Sequence, residues 1–282
     1  MTASGSELEL AGITIRYGGV TAVNDASFTV GDGILGLVGP NGAGKSTIAN
    51  AISGLVRPAK GDVRWRGERI TRWSAMRRSR AGLARTFQYP TIFPELTIRE
   101  NILLTGPVSG LDVLRDDYDW AGLGPWLHRY PWELPYGVRK LVDFCRVLLR
   151  RPAFVIADEP LSGLAEAERD GVIDLLSQIR RSGVSLVIVE HDVPRLSQIA
   201  DRLIVLDHGA MIGDGDPETV LAMPTVIEAF LGVAGEDKLV PDSSGSDISG
   251  SDTSGSDASG SDTAGPDTAA DRPVPRTNGA GV

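Results

Sequence analysis

One stretch of the chain has the residue types and spacing of a phosphate-binding loop. A glycine is followed by four residues and then by Gly-Lys-Ser, over residues 39–46. The glycines let backbone N–H groups point inward at phosphate oxygens, and a helix starting there adds partial positive charge. Lys45 is expected to reach the β- and γ-phosphates, and Ser46 to hold Mg²⁺ through its hydroxyl. The predicted nucleotide contacts in the loop are Gly39, Pro40, Asn41, Gly42, Ala43, Gly44, Lys45, Ser46 and Thr47.

The segments on either side of this loop occur in the order that phosphate binding requires. The apolar run at residues 34–38 has the length of a strand, and residues 46–55 predict a helix that stops near Gly54. An ordinary glycine-rich turn between a strand and a helix is the alternative. The combined order of strand, loop and helix favours a nucleoside triphosphate site.

Polar residues that follow other short apolar runs are candidates for the chemistry. Asp158 and Glu159 end one run, His191 ends the next, and Gln88 ends a short strand before them. We expect these side chains near the loop, because open α/β sheets bind ligands at the carboxyl ends of their strands. The aspartate can order the Mg²⁺ shell opposite Ser46, and the glutamate can polarise an attacking water. The histidine can contact the γ-phosphate, and the glutamine amide can ligate Mg²⁺ or the water.

The rest of the pattern predicts an antiparallel β segment followed by a parallel α/β core. Tyr17 ends an early strand, where its ring is placed to stack on a purine base; a half-buried strand aromatic is the alternative. The stretch 106–132 is expected to form short helices. Strands are predicted over 8–10, 13–17, 23–30, 83–88, 154–158 and 186–191, helices over 74–80, 97–104, 135–150, 165–181 and 193–200, and hairpins over 62–70 and 202–212.

Composition narrows the class of protein. The chain has 282 residues and a net charge of −9, which does not suggest a nucleic-acid surface, because phosphate contacts need clustered lysines and arginines. The basic cluster at 77–80 is interpreted as a solvated helix face, with an interaction patch as the alternative. The lone Cys145 is expected to be a packed thiol. Neither a signal peptide nor an apolar run of roughly 18–20 residues is present, so we expect no membrane span.

Several segments, taken in their order along the chain, resemble the motifs of the ATP-binding-cassette (ABC) ATPase family. They are Tyr17, the loop at 39–46, Gln88, residues 134–137 opening a helix, residues 158–160 and His191. The resemblance implies an α/β P-loop NTPase cassette with an antiparallel β subdomain, a parallel α/β core and a helical subdomain. The expected domain spans residues 7–235, with the helical subdomain at about 89–150. Residues 240–282, a Ser/Gly/Asp-rich repeat with few apolar residues, are expected to form a disordered tail.

The resemblance also implies a dimer. Two cassettes pair head to tail, and ATP lies between the loop of one and the signature helix of the other. The backbone N–H groups of Tyr136 and Gly137 would clamp the partner's γ-phosphate, since they stand at a helix N-terminus. ATP binding closes the dimer, and hydrolysis resets it.

Each candidate receives a role from the same resemblance. Glu159 would be the general base and His191 the switch, with Tyr17 against the adenine. Asp158 and Gln88 would serve Mg²⁺ and the water.

Several stretches are similar to the ATP-binding subunits of branched-chain amino-acid importers. They are residues 82–88, 93–101, 213–218 and 226–232, and urea and amide importers share them. The similarity implies an energy-coupling subunit that is cytoplasmic and peripheral on the inner face of the cell membrane. It would dock on transmembrane permease subunits through Gln88 and residues 93–95, and pair with a second ABC ATPase, identical or different.

Three residues, in two motifs, depart from the family pattern. Pro135 replaces the usual serine and Val138 the glutamine, so the hydroxyl donor to the partner's γ-phosphate is absent; Ala165 stands where an aspartate or asparagine is usual. Hydrolysis is therefore expected to be slow, or to depend on one composite site of a heterodimer. The alternative functions are a soluble regulatory ABC protein and a nucleotide-dependent binding module with little turnover.

Overall fold

The computed structural model describes residues 8–104 and 122–236. The predicted tail at 240–282, and residues 106–121 of the predicted short-helix stretch, lie outside the described residues. The strands are β1 (Leu8–Tyr17), β2 (Val20–Val30), β3 (Ile34–Val38), β4 (Lys60–Trp65), β5 (Glu68–Arg69), β6 (Leu83–Thr86), β7 (Phe154–Asp158), β8 (Ser185–Val189), β9 (Arg202–Asp207) and β10 (Ala210–Gly215). The helices are α1 (Lys45–Ser53), α2 (Ala75–Arg80), α3 (Ile98–Leu103), α4 (Tyr136–Leu148), α5 (Glu166–Arg181), α6 (Val193–Leu196), α7 (Pro217–Leu221) and α8 (Pro224–Glu236), with 3₁₀ turns at Gly124–Trp126 and Pro131–Glu133.

Two sheets organise these elements. The antiparallel sheet has the order β2-β1-β4-β5, and the second sheet has the order β10-β9-β3-β8-β7-β6, with parallel pairing from β9 through β6. The predicted antiparallel start and parallel core are both confirmed. The two predicted segments 8–10 and 13–17 form one strand, because Gly12, at φ 61°, absorbs an irregularity in the β1–β2 register.

The parallel sheet is covered on both faces, which explains its uninterrupted apolar strands. Along β3, Leu35 and Leu37 face a core cluster that includes α1 and the antiparallel sheet. Ile34 and Val38 point the other way, into a cluster that includes α5. Since each fully buried aliphatic side chain contributes about 1.5–3 kcal/mol, this double burial holds β3 firmly. The loop that follows β3 therefore starts from a fixed strand end.

A third core cluster lies between α3 and α4. It contains Cys145, whose side chain is buried among apolar residues, as the sequence predicts. The predicted capping box at the start of α3 is also present: Thr97 accepts from the Glu100 N–H, and the Glu100 carboxylate accepts from the Thr97 N–H at 2.8 Å. Among the described residues, no helix is long and apolar enough to cross a bilayer.

The interpretation of residues 77–80 as a solvated face is wrong for Arg78. Its side chain is 1% exposed and donates to the carbonyls of Ala51 and Ile52, both at 2.6 Å, and of Ile70 at 2.9 Å. The first two carbonyls belong to the last turn of α1, where unpaired carbonyls attract a cation. Burial lowers the pKa of Arg78 to about 10.

The ends of β6, β8 and α6 are among those that differ from the prediction. Strand β6 ends at Thr86 and β8 at Val189, so Gln88 and His191 stand in the loops that follow rather than at strand ends. Helix α6 ends at Leu196 instead of continuing to 200. The chain turns there because Asp201 is fastened to β3: its carboxylate accepts from the Ile34 N–H at 2.8 Å, and its N–H donates to the Ile34 carbonyl at 2.9 Å.

Candidate nucleotide site

The predicted phosphate loop connects β3 to α1, and its glycines are required by close backbone contacts. Gly39 has φ 145°, and a Cβ atom there would lie 2.0 Å from the Leu206 carbonyl oxygen. Gly44 has φ 103°, and a Cβ atom there would lie 2.6 Å from the Ala22 carbonyl oxygen. A side chain at either position would force the loop away from its neighbours. The predicted order of strand, loop and helix is confirmed.

Lys45 lies folded over the loop. Its Nζ donates to the carbonyls of Gly39, at 2.7 Å, and Pro40, at 2.8 Å. Burial lowers the pKa of Lys45 below its usual value. Three carboxylates are close enough to oppose that shift: Glu159, Asp158 and Glu190. The loop and the predicted acidic residues therefore share one electrostatic environment.

Glu159 and Gln88 are in direct contact. The amide nitrogen of Gln88 donates to Glu159 Oε2 at 2.6 Å, and the Glu159 N–H donates to the Val189 carbonyl at 2.8 Å. Glu159 also has φ 47°, in the left-handed region that non-glycine residues seldom adopt. Such strain persists only where the surroundings hold it, as they commonly do at functional sites. The structure thus joins two of the predicted catalytic residues.

Asp158 has a partner that sequence reasoning missed. Arg85, on the neighbouring strand β6, places Nη2 2.5 Å from Asp158 Oδ2, and both side chains are nearly inaccessible to solvent. The signal was present, because an arginine inside a short buried strand requires an anion or several carbonyls.

Glu190 is a second carboxylate that the prediction omitted. It is fully buried after β8 and accepts from the backbone N–H groups of Leu161, at 2.7 Å, and His191, at 3.1 Å. Burial raises its pKa, and these hydrogen bonds oppose the shift. The neighbouring His191 side chain is 59% exposed, with Nδ1 3.6 Å from Glu190 Oε2. His191 therefore has an anchored backbone and an open ring.

The start of α4 touches the predicted catalytic residues. The Tyr136 hydroxyl donates to the Gln88 carbonyl at 3.2 Å. Lys140, one turn further along, donates through Nζ to the carbonyls of Glu159, at 2.8 Å, and Pro160, at 3.1 Å. Burial lowers the pKa of Lys140 to about 8. Sequence reasoning did not single out this lysine.

Tyr17 lies at the end of β1 with its side chain about half exposed. It pairs in register with Val20 of β2, and the same strand brings Ala22 against Gly44 of the loop. The β1–β2 hairpin is therefore a neighbour of the phosphate loop. Stacking of the Tyr17 ring on adenine stays a prediction.

The residues at this edge fit a magnesium ion. Ser46 offers a hydroxyl, Asp158 a carboxylate oxygen, and Gln88 an amide oxygen, since its amide nitrogen binds Glu159. The described residues contain no group of three or more His, Cys, Asp or Glu side chains that could hold a metal alone. Few protein ligands, with phosphate oxygens and water supplying the rest, is the pattern that Mg²⁺ adopts in nucleotide sites.

Comparison with known proteins identifies the family of the chain. Residues 23–162 match the ABC transporter family. Over 250 residues the chain is 32% identical to the high-affinity branched-chain amino acid transport ATP-binding protein BraF of Pseudomonas aeruginosa, across 80% of this chain and 98% of that protein. It is 30% identical, with the same coverage, to the protein LivG of Escherichia coli, which has the same description.

A solved structure shares the fold. It is the ADP conformation of MJ1267, an ATP-binding cassette of an ABC transporter, with 26% identity and a TM-score of 0.74 over 81% of this chain and 99% of that one. The predicted family is confirmed, and so is the fold class for the described residues. The chain belongs to the ABC transporter family and is one of its ATP-binding cassettes, the ATPase subunits of these transporters.

Proposed function

We propose that this cassette hydrolyses ATP to drive import of branched-chain amino acids. The observation that best supports hydrolysis is the contact between Gln88 and Glu159, since the Glu159 carboxylate is also close enough to Lys45 of the phosphate loop to raise its pKa. The solute is inferred from the names of BraF and LivG, which resemble this chain along almost their whole length.

In this proposal Glu159 accepts a proton from the attacking water. Gln88 holds its carboxylate through Oε2, and Lys140 holds its backbone carbonyl, so the base is oriented from both ends. His191 contacts the γ-phosphate and the water with its exposed ring. Ser46, Asp158 and Gln88 hold Mg²⁺, which when bound neutralises charge on the β- and γ-phosphates. Tyr17 stacks on the adenine.

A second cassette completes the site from the far side. The N-terminus of α4 is available for a partner's γ-phosphate, because its N-cap residue, Pro135, carries no side-chain acceptor. The N–H groups of Tyr136 and Gly137 would meet that phosphate. Closure of the dimer on ATP and reopening after hydrolysis form the working cycle.

The permease is proposed to dock in a cleft beside the nucleotide site. The cleft has a volume of about 240 Å³ and lies between the end of α1, helix α2, strand β6 and helix α4. Leu55 and Phe87 line it and are exposed, and Phe93 is exposed with its ring 5.5 Å from Arg146 of the cleft wall. An apolar rim of this kind suits a cytoplasmic helix of a membrane subunit. Docking there would hold the cassette on the inner face of the membrane.

Substitution of Glu159 tests the proposal. In a complex assembled with permease subunits from neighbouring reading frames, Glu159→Gln should abolish both ATP hydrolysis and uptake of labelled leucine while ATP binding persists. Glu218→Gln, at an exposed position in α7, is the matched control. Unchanged hydrolysis in Glu159→Gln would reject the catalytic assignment. If the wild-type complex hydrolyses ATP but does not take up leucine, the proposed solute is rejected and the proposed hydrolysis is kept.

Pro135 supports a second candidate function, a nucleotide-dependent binding module with little turnover. Loss of one hydroxyl donor to the transition state costs on the order of 1–3 kcal/mol. If the wild-type complex binds ATP but hydrolyses it no faster than a protein-free blank, this second function is favoured.

A further inference from the structure

Arg85 binds two elements of the nucleotide site at once. Its Nη2 donates to Asp158 Oδ2 at the end of β7. Its Nη1 donates to Asn50 Oδ1 at 2.7 Å and to Ser53 Oγ at 3.0 Å, both in α1. The guanidinium is planar, so its two nitrogens hold these partners in a fixed relative orientation. The side chain is 7% exposed, which keeps competing water away.

The two elements that Arg85 joins carry the proposed magnesium ligands. Helix α1 begins beside Ser46, and β7 ends at Asp158. A metal ion shared by these two side chains needs a set distance between helix and strand end. Arg85 occupies Oδ2 of the carboxylate, which leaves Oδ1 for the metal shell. A partner that orients a metal-ligating carboxylate typically changes metal affinity 10- to 100-fold when it is removed.

We propose that Arg85 is a positioning residue for the magnesium site, holding Asp158 against α1 so that its second oxygen meets the ion. This inference rests on the proposed role of Asp158 as a metal ligand. Arg85 would act through Asp158 alone, because its Nη atoms are already bound to Asn50, Ser53 and Asp158. Its effect should therefore appear in metal affinity and not in the affinity for a nucleotide without metal.

The test measures binding of Mn²⁺, by electron paramagnetic resonance, to the full chain with a non-hydrolysable ATP analogue. We expect Arg85→Gln to weaken Mn²⁺ binding by about tenfold. Arg85→Lys keeps the charge but cannot reach all three acceptors, so it should recover part of the loss. Affinity for the analogue in EDTA should stay within about twofold of wild type, which also reports that the variants are folded.

Two further variants separate the possible outcomes. Arg69→Gln breaks another Arg–Asp pair with the same 2.5 Å separation, in the antiparallel sheet, and should leave Mn²⁺ affinity unchanged. Asp158→Asn tests the underlying assignment: unchanged Mn²⁺ affinity there would reject the metal role of Asp158. If Asp158→Asn loses Mn²⁺ but Arg85→Gln binds it as wild type does, the positioning role is overturned. Tighter binding in Arg85→Gln would overturn it too, because the guanidinium would then compete with the ion.

Discussion

Two helices of this cassette begin beside residues of the candidate nucleotide site, and different contacts hold their first turns in place. Helix α1 follows Gly44 and helix α4 follows Pro135, neither of which carries a side-chain acceptor. At the start of α1 the Lys45 hydrogen bonds stay within the loop, to residues 39 and 40, and the loop glycines pack against Leu206 and Ala22. The start of α4 is fixed by distant residues, through Tyr136 to Gln88 and Lys140 to Glu159. The side-chain hydrogen bonds at the start of α1 are therefore local in sequence, whereas those at the start of α4 reach residues distant along the chain.

This difference separates binding from turnover. A change in the loop of α1 alters the phosphate cradle itself, so it should appear in the ATP affinity of an isolated cassette. The start of α4 is a surface proposed to face the ATP of a partner cassette. Residues there also contact Gln88 and Glu159 of their own site, so a change in α4 affects the proposed general base. It should appear in the turnover of the assembled complex.

The largest expected effect is that of Lys45→Ala. The substitution truncates the lysine side chain at Cβ and removes the ammonium group from the cradle, so one charge-assisted contact to the phosphates is lost, at a cost of about 1.5–3 kcal/mol. We expect ATP affinity of the isolated cassette to fall on the order of 100-fold, as measured with a fluorescent ATP analogue. Lys60→Ala, at the exposed start of β4, serves as the control. Unchanged affinity in Lys45→Ala would place the phosphates elsewhere.

Gly137→Ala probes the other helix. A Cβ atom there would lie 2.5 Å from Glu168 Oε1, and the same carboxylate caps the Ala165 N–H at 2.9 Å. Since the atom met is the end of a flexible side chain, Glu168 should rotate away and release the Ala165 N–H. With the new methyl group beside the proposed phosphate contact, we expect turnover of the assembled complex to fall about tenfold and ATP affinity of the isolated cassette to stay unchanged. Gly171→Ala is the control, since a Cβ atom at that α5 position meets no atom of the described chain within 4 Å. Reduced ATP affinity in Gly137→Ala would remove the distinction between the two helices.

The distinction between local and distant contacts also explains which features the sequence predicts. The phosphate loop, the capping box at Thr97 and the strand ending at Asp158 follow from short-range spacing, and the structure confirms them as elements. Arg78 was wrongly interpreted as solvated and Arg85 was not assigned, because each has a partner distant along the chain: Ala51 is 27 residues from Arg78, and Asp158 is 73 residues from Arg85. Spacing cannot report such pairs. The chemical roles of Glu159, His191 and Gln88 stay predictions.

Lys140, in the first turns of α4, makes the stability of the folded chain depend on pH. The unfolded chain keeps this lysine protonated up to its ordinary pKa of 10.5, whereas the folded chain releases the proton from about pH 8. Between these values the folded state binds fewer protons, so the free energy of unfolding rises with pH. Relative to Lys140→Met, wild type should gain about 1 kcal/mol of stability between pH 7 and pH 9. Urea unfolding of both proteins at each pH measures this, and parallel pH profiles would contradict it.

The smallest expected effect is a gain, from Pro135→Ser. The backbone at this position is extended, with φ −53° and ψ 152°, which serine adopts readily as an N-cap. The new hydroxyl can cap α4 in the isolated cassette and can donate to the partner's γ-phosphate in the dimer. We expect turnover of the assembled complex to rise about threefold, since a gain of only part of one hydrogen bond is involved. Pro135→Ala removes the ring without adding the hydroxyl, so it separates the two causes. Equal acceleration in both variants would mean that removal of the proline ring causes the gain. The missing hydroxyl donor would then not limit turnover.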